Sequence, residues 1–308
     1  MAFIHGKKTA VFLGEYDFSP VLREASVTAS ANPVDVTTFA DAGSANLKVY
    51  GQGLSDGSIS ISGMWSNSDL DPDVDASRTA VAPDEQVKAW EFAGTEFPCL
   101  IARNTTATTA APSGILVPDL TPCTMITGLV ESWNASSPVN DVVALDAEIM
   151  GASTSTNVVG GTPMLGYSIC HNYADSDNTT ATSTPLVWNS ESGAKTTSWV
   201  QVSGTNANDY GAVISVHVLD NTMDQNVAIT IQHNTADPGT PAEFGTDLLW
   251  PTSGRLVAGA IGSKSVAYNP GTNNTDGYWR LTCTPAASAS GELSIIAAVC
   301  ILNTQLFT

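Results

Sequence analysis

The 308-residue chain reads as mainly β, divided into two domains. Three observations carry that reading. Ser, Thr, Asn, Ala and Gly dominate, and short β-branched stretches are broken by turn clusters at close intervals, the pattern of all-β sandwiches and barrels. The length is about twice the ~150 residues of a typical domain, so each half can bury a core without disulfide staples. A Ser-, Thr- and Gly-rich stretch from Gly151-Ala152 to Gly161-Thr162 offers a boundary, with one domain at 1–157 and a second at 158–308.

The elements follow in chain order. Ser58-Ile59-Ser60-Ile61-Ser62 alternates strictly, as a half-buried strand does. Residues 83–93 form the one helix that stands out. Pro83 suits the first helical position, and Asp84 and Glu85 suit the positive end of the helix dipole. Val87, Trp90 and Phe92 are expected near one face, with Gly94 as the stop. Such a helix most simply covers one face of a sheet. Residues 122–133 read as a strand, and Val142 to Ile149 alternates: Val143, Leu145, Ala147 and Ile149 share one face, Asp146 and Glu148 the other. Ala212 to Leu219, Val227 to Gln232 and Leu293 to Leu302 are the strands expected in the second half.

Composition excludes several functions. The 11 Lys and Arg stand against 30 Asp and Glu, a net charge of −19. Residues 1–157 hold 7 basic and 19 acidic groups (−12), and residues 158–308 hold 4 and 11 (−7). Gripping a phosphate backbone or an anionic membrane needs a basic face, which this balance argues against. No apolar run approaches the ~20 residues that cross a bilayer, and Lys7-Lys8 is not followed by a signal-peptide core. A soluble chain that stays in the cell that makes it is expected.

The five cysteines, Cys99, Cys123, Cys170, Cys283 and Cys300, are odd in number, widely spaced and free of C-x-x-C, so buried structural thiols in a reducing compartment are expected. None of His5, His171, His217 and His233 forms a close ligand pair, and no cofactor or metal is called for. His5-Gly6-Lys7-Lys8-Thr9 lacks the earlier glycine of a phosphate loop, and no G-x-S-x-G elbow is present. Asp69, Asp71, Asp73 and Asp75 could ligate calcium. Yet Val74 stands where an EF-hand needs Gly and Ala80 where it needs Glu, so a solvated acidic loop is the preferred reading. Asp146 and Glu148 share one strand face rather than facing each other across a cleft, which disfavours a glycosidase pair. No catalytic residue is assigned, and the chain is not expected to be an enzyme.

One order of segments is more informative. His5-Gly6-Lys7 leads to Asp17-Phe18-Ser19-Pro20-Val21-Leu22. Then come Val34-Asp35-Val36-Thr37-Thr38-Phe39, and Gly53-Leu54-Ser55-Asp56-Gly57 through Gly63. Over residues 5–63 this resembles the opening of the major tail tube proteins of long-tailed, siphovirus-like bacteriophages. There an H-G-K segment precedes a D-L-S-x-x-L turn, a D-V-T-T-F strand and a G-L-x-D-G hairpin. Phe18, Ala40 and Gln52 depart from the family's Leu, Gly and Pro. Gly277-Tyr278-Trp279-Arg280 and the strand after Gly291 resemble the ending of the extra β-sandwich that some members carry outside the tube.

The resemblance implies a tail-tube β-sandwich or barrel with one flanking helix, plus a C-terminal exterior β-sandwich. It implies a structural virion protein that self-assembles into stacked hexameric rings. These form the tail tube through which DNA is ejected without specific binding. Other tail proteins, such as a tape measure and a terminator, are the implied partners, with no membrane. The implied location is the virion tail, after assembly in the host bacterial cytoplasm. His5, Gly6, Lys7, Gly53, Asp56 and Gly57 are the implied ring-stacking contacts, with Gly57 expected at the positive φ of a hairpin turn. If strands 55–63, 122–133 and 142–150 form the inner sheet, then Ser58, Ser60, Ser62, Glu131, Asp146 and Glu148 line the lumen. The alternative is a carbohydrate-binding or adhesin β-sandwich, resting on the tryptophans of the second half.

Overall fold

The computed structural model describes residues 9–31, 34–35, 50–51, 55–64, 82–103, 105–107, 115–136, 143–152, 161–172, 185–202, 211–234, 242–243, 255–268 and 277–302. It is mainly β, with antiparallel pairing throughout. The first half contains β1 (Thr9–Leu13), β2 (Tyr16–Asp17), β3 (Leu22–Ala31), β4 (Val34–Asp35), β5 (Tyr50–Gly51) and β6 (Ser55–Met64). Helix α1 (Pro83–Ala93) follows, then β7 (Phe97–Arg103), β8 (Thr106–Ala107), β9 (Ile115–Leu116), β10 (Pro122–Ser136) and β11 (Ala144–Gly151). The second half contains β12 (Met164–Asn172), β13 (Leu186–Glu191), β14 (Lys195–Thr196), β15 (Val200–Gln201), β16 (Gly211–Asn221), β17 (Val227–Asn234), β18 (Ala242–Glu243), β19 (Gly262–Tyr268), β20 (Tyr278–Pro285) and β21 (Ala289–Leu302).

The 15-residue β10 organises the first half. Its Cys123–Gly128 stretch pairs with β7, and its Gly128–Ser136 stretch pairs with β11 on the opposite edge. It therefore runs through two walls, β1–β7–β10 and β3–β6–β11–β10. Between them lies a core that includes Leu13, Phe18, Ile59, Ile61, Ile101, Ile126, Val130 and Ile149. Helix α1 closes this sandwich as the sequence predicts. Pro83 occupies the first turn, Val87 and Trp90 are buried, and Gly94 ends it at φ 57°. Trp90 stacks on Phe97 with centroids 4.1 Å apart. Phe92 departs from expectation and is 79% exposed. At ~100° per residue it lies ~140° from Val87 and ~160° from Trp90, on the solvent side.

The second half continues the same sheet. Met164–Tyr167 of β12 pairs with Pro122–Met125 of β10, and β21 then bridges β12, β13 and β16. A second sheet, built on β17 and β20, covers a core containing Trp188, Ile214, Ile229, Trp279, Leu281 and Ile295. The halves meet in a third cluster. Ala10, Phe12, Leu100, Ala102, Cys123 and Met125, on the outer side of the β1–β7–β10 wall, pack against Leu219, Ile296, Ala298 and Cys300.

Gly57 also corrects an expectation. It lies inside β6, paired with Ala29, and its φ is outside the left-handed region. Glycine is needed there because a Cβ would collide with the Pro163 ring and the Gly161 carbonyl. Gly151 and Gly161 cross backbone to backbone in the same way, so the chain re-enters the second half against the end of the first.

Candidate functional site

The outer face of the β3–β6–β11–β10 wall gathers the polar residues of four strands. Period-two alternation puts Ile59, Ile61, Leu145, Ala147 and Ile149 in the core and leaves their neighbours outside. The register aligns those neighbours in rows. Glu24, Ser62, Asp146 and Asn134 form one, and Ser26, Ser60, Glu148 and Ser132 form the next. The residues line a shallow open groove. A third row holds Thr28, Ser58, Met150 and Leu129.

The structure thus brings Ser58, Ser60, Ser62, Asp146 and Glu148 onto one face. Glu131 is exposed but has no partner in the register. It is the extra residue of a bulge between Val130 and Ser132 and does not line the groove. Glu24 and Ser26 were not anticipated. Their strand alternates Glu24, Ser26, Thr28 against Ala25 and Val27, a weak signal because alanine contributes little hydrophobicity. His5, Gly6, Lys7 and Gly53 lie outside the described residues, as do Asp69 to Asp75. Asp56 lies in β6 beside Gly57, which is buried beneath Pro163.

This face presents hydroxyls, amides and carboxylates to an aqueous space. Among the described residues, no cluster of three or more His, Cys, Asp or Glu could hold a metal ion. Opposite charge is sparse: Arg23, another bulge residue at the start of β3, is the one cation of the four strands.

Two histidines with perturbed affinities lie at the seam between the halves, flanking Phe12. His217 Nδ1 donates to the Gly14 carbonyl at 2.5 Å, so Ser215 Oγ donates to its Nε2 at 2.7 Å. His171 Nδ1 accepts the Val117 N–H at 3.0 Å. Both rings flank Phe12, with centroids 5.7 and 6.4 Å away. Burial lowers each histidine to about 4. Burial likewise raises all five thiols, Cys123 and Cys283 to about 12 and Cys300 to about 11, so none is a ready nucleophile. Glu15 and Asp119 are also raised by burial.

Among the described residues of the second half, Trp188, Trp199 and Trp279 are used in packing. Trp188 and Trp279 are fully buried, and the Arg280 guanidinium sits 4.3 Å from the Trp199 ring centroid while its Nε donates to Gln232 Oε1 at 2.8 Å. No helix among the described residues is long and apolar enough to cross a membrane.

No protein-family model matches the chain, and no curated protein matches it either. Several solved structures resemble it distantly. The tail of an empty gene transfer agent particle, refined helically with C6 symmetry, is 17% identical, with 49% of this chain and 95% of that one covered at a TM-score of 0.33. The SPP1 tail tube, solved by solid-state NMR and cryo-EM, is 10% identical, with coverage of 53% and 78% and a TM-score of 0.34. The SPP1 Dit protein, described as a hub of the adsorption apparatus, is 8% identical, with coverage of 96% and 99% and a TM-score of 0.29. Likenesses this distant say nothing by themselves about what the chain does.

Proposed function

We propose that the chain is a structural subunit of a bacteriophage tail. Its copies join edge to edge into six-membered rings, the rings stack into a tube, and the polar wall lines a passage for DNA. One observation carries this reading: a four-stranded antiparallel sheet has one face on the core, one polar face open to water, and an unpaired strand edge on each side. Among the described residues, β3 has no neighbour beyond β6, and Leu129–Ser136 of β10 none beyond β11. Unpaired edges normally invite aggregation, and head-to-tail closure removes them.

The dimensions agree. Six such walls make a barrel of ~24 strands. At ~4.8 Å spacing and ~40° tilt it is about 48 Å across and roughly 35–40 Å between facing side chains, wider than a DNA duplex. An acidic, hydroxyl-rich lining repels phosphates within a Debye length of ~8–10 Å instead of binding them. The second half attaches to the opposite wall, on the outside of the ring. Residues 1–157 are then the ring-forming unit and residues 158–308 the exterior sandwich, with other tail proteins meeting the ends of the tube. Negative-stain microscopy of the purified chain tests this. Rings or tubes are expected, and a monomer at every concentration refutes it.

A further inference from the structure

The two unpaired edges also specify how one copy meets the next, given the ring reading above. Met64 N–H donates to the Val21 carbonyl and Ala152 N–H to the Thr127 carbonyl, each at 3.0 Å. Antiparallel ladders alternate from such anchors. Glu24, Ser26 and Thr28 therefore turn their N–H and C=O groups toward β6, leaving those of Ala25, Val27 and Ala29 on the open edge. On β10, Ser132 and Asn134 turn toward β11, leaving Trp133 and Ala135 on the open edge. Ala25, Val27 and Trp133 all pack on the core side, so the two edges are in phase for a continuous ladder.

Closure sets the offset. Crossing four strands covers ~19 Å. A strand tilt of ~35–45° then displaces the neighbour's β3 along its axis by ~13–19 Å, about four to six residues. An odd displacement turns every polar side chain inward, which excludes five. Six leaves only about four facing rows between β3 and β10, whereas four leaves about six. The direction follows from handedness. The Thr127 carbonyl points at β11 while its side chain lies on the polar side of the wall. For an L-chain with β10 running upward, this puts β11, β6 and β3 to its right as seen from the polar face. Barrel strands coil right-handedly, so β10 meets the C-terminal part of the neighbouring β3.

We propose that the partner of the open β10 edge is β3 of a second copy, staggered by four residues. Asn134 then faces Thr28 of the neighbouring copy, and Ser132 faces its Ser30. Both are non-hydrogen-bonded pairs, whose Cα separation of ~4.5 Å lies within the reach of a disulfide.

The test uses the full chain, whose five native cysteines are buried. Asn134→Cys combined with Thr28→Cys is expected to give a covalent ladder of subunits after mild oxidation of assembled rings. Asn134→Cys combined with Glu24→Cys, the unstaggered pair, is expected to give none. Ser132→Cys with Ser30→Cys is the second pair, should the first fail to assemble. A ladder from the Glu24 variant overturns the register, as do assembled tubes without a ladder from either staggered pair, and both leave the ring reading standing. An unmodified chain that forms neither rings nor tubes overturns both.

Discussion

Acid should open the seam between the halves before it unfolds the cores. His171 and His217 are held neutral at about 4, against 6.5 for a free histidine. Between those values the unfolded chain binds protons that the folded chain refuses, so stability rises with pH in that window. The stabilisation is complete above about 6.5 and is lost as pH falls toward 4. The gap between 6.5 and about 4 corresponds to about 3 kcal/mol per histidine, an upper figure for each. Glu15 and Asp119, whose carboxyls burial raises, act in the opposite sense, since acid relieves their cost and blunts the slope. Even half the histidine sum is a large fraction of the 5–15 kcal/mol that holds typical domains together. Urea midpoints at half-unit steps from pH 7.5 to 4.0 measure the slope. His217→Asn puts an amide N–H where Nδ1 stands, keeping a donor for the Gly14 carbonyl, but cannot titrate, so it should remove about half of the histidine-dependent loss. A midpoint that is flat from pH 6.5 to 4.5, or a His217→Asn slope equal to that of the parent, would refute the reasoning.

Three further outcomes are expected. Trp90→Ala empties the space between α1 and Phe97 and should cost about 3–5 kcal/mol by denaturant titration, as large aromatic deletions do. Gly57→Ala drives a methyl into the Pro163 ring and should lower the thermal midpoint, while Gly94→Ala, whose Cβ meets open space, should pay only the backbone strain of φ 57°. Given the tube reading, Asp146→Lys with Glu148→Lys leaves the core untouched, so assembly should persist, whereas dye-timed DNA ejection through mutant tubes should slow most at low salt. Unchanged ejection at low ionic strength would place these carboxylates away from the passage.

Part of this was legible in the residues alone. Alternation at 58–62 and 143–149 gave the buried and polar faces correctly, because side-chain period depends only on local geometry. Pro83, Asp84 and Gly94 marked the helix for the same reason. What alternation does not encode is which strand lies beside which. β10 pairs with β11 as a hairpin of consecutive strands, but its pairing with β12 sets Pro122 against Tyr167, and nothing in the local pattern of 122–136 announces it. The Asp56-Gly57 dipeptide signals a turn, yet Gly57 answers to Pro163, more than a hundred positions away. Apolar character alone groups Phe92 with Val87 and Trp90 on one face, and its helical angle separates it from them.

The position of β21 bears on how the chain is made. It is the last described strand to leave the ribosome, yet it lies between β12 and β16, and its Ile296, Ala298 and Cys300 seal the surface formed by Phe12 and Leu100. At ~5–20 residues per second, roughly 7–26 s of synthesis separate the end of β12 from that of β21. Throughout that interval the first half carries an uncovered greasy face. A nascent chain stalled or cleaved in the second half exposes that face for as long as it exists and is open to chaperones and proteases. Only a chain translated through β21 conceals it, so the first half gains its finished surface late, when the second half closes over it.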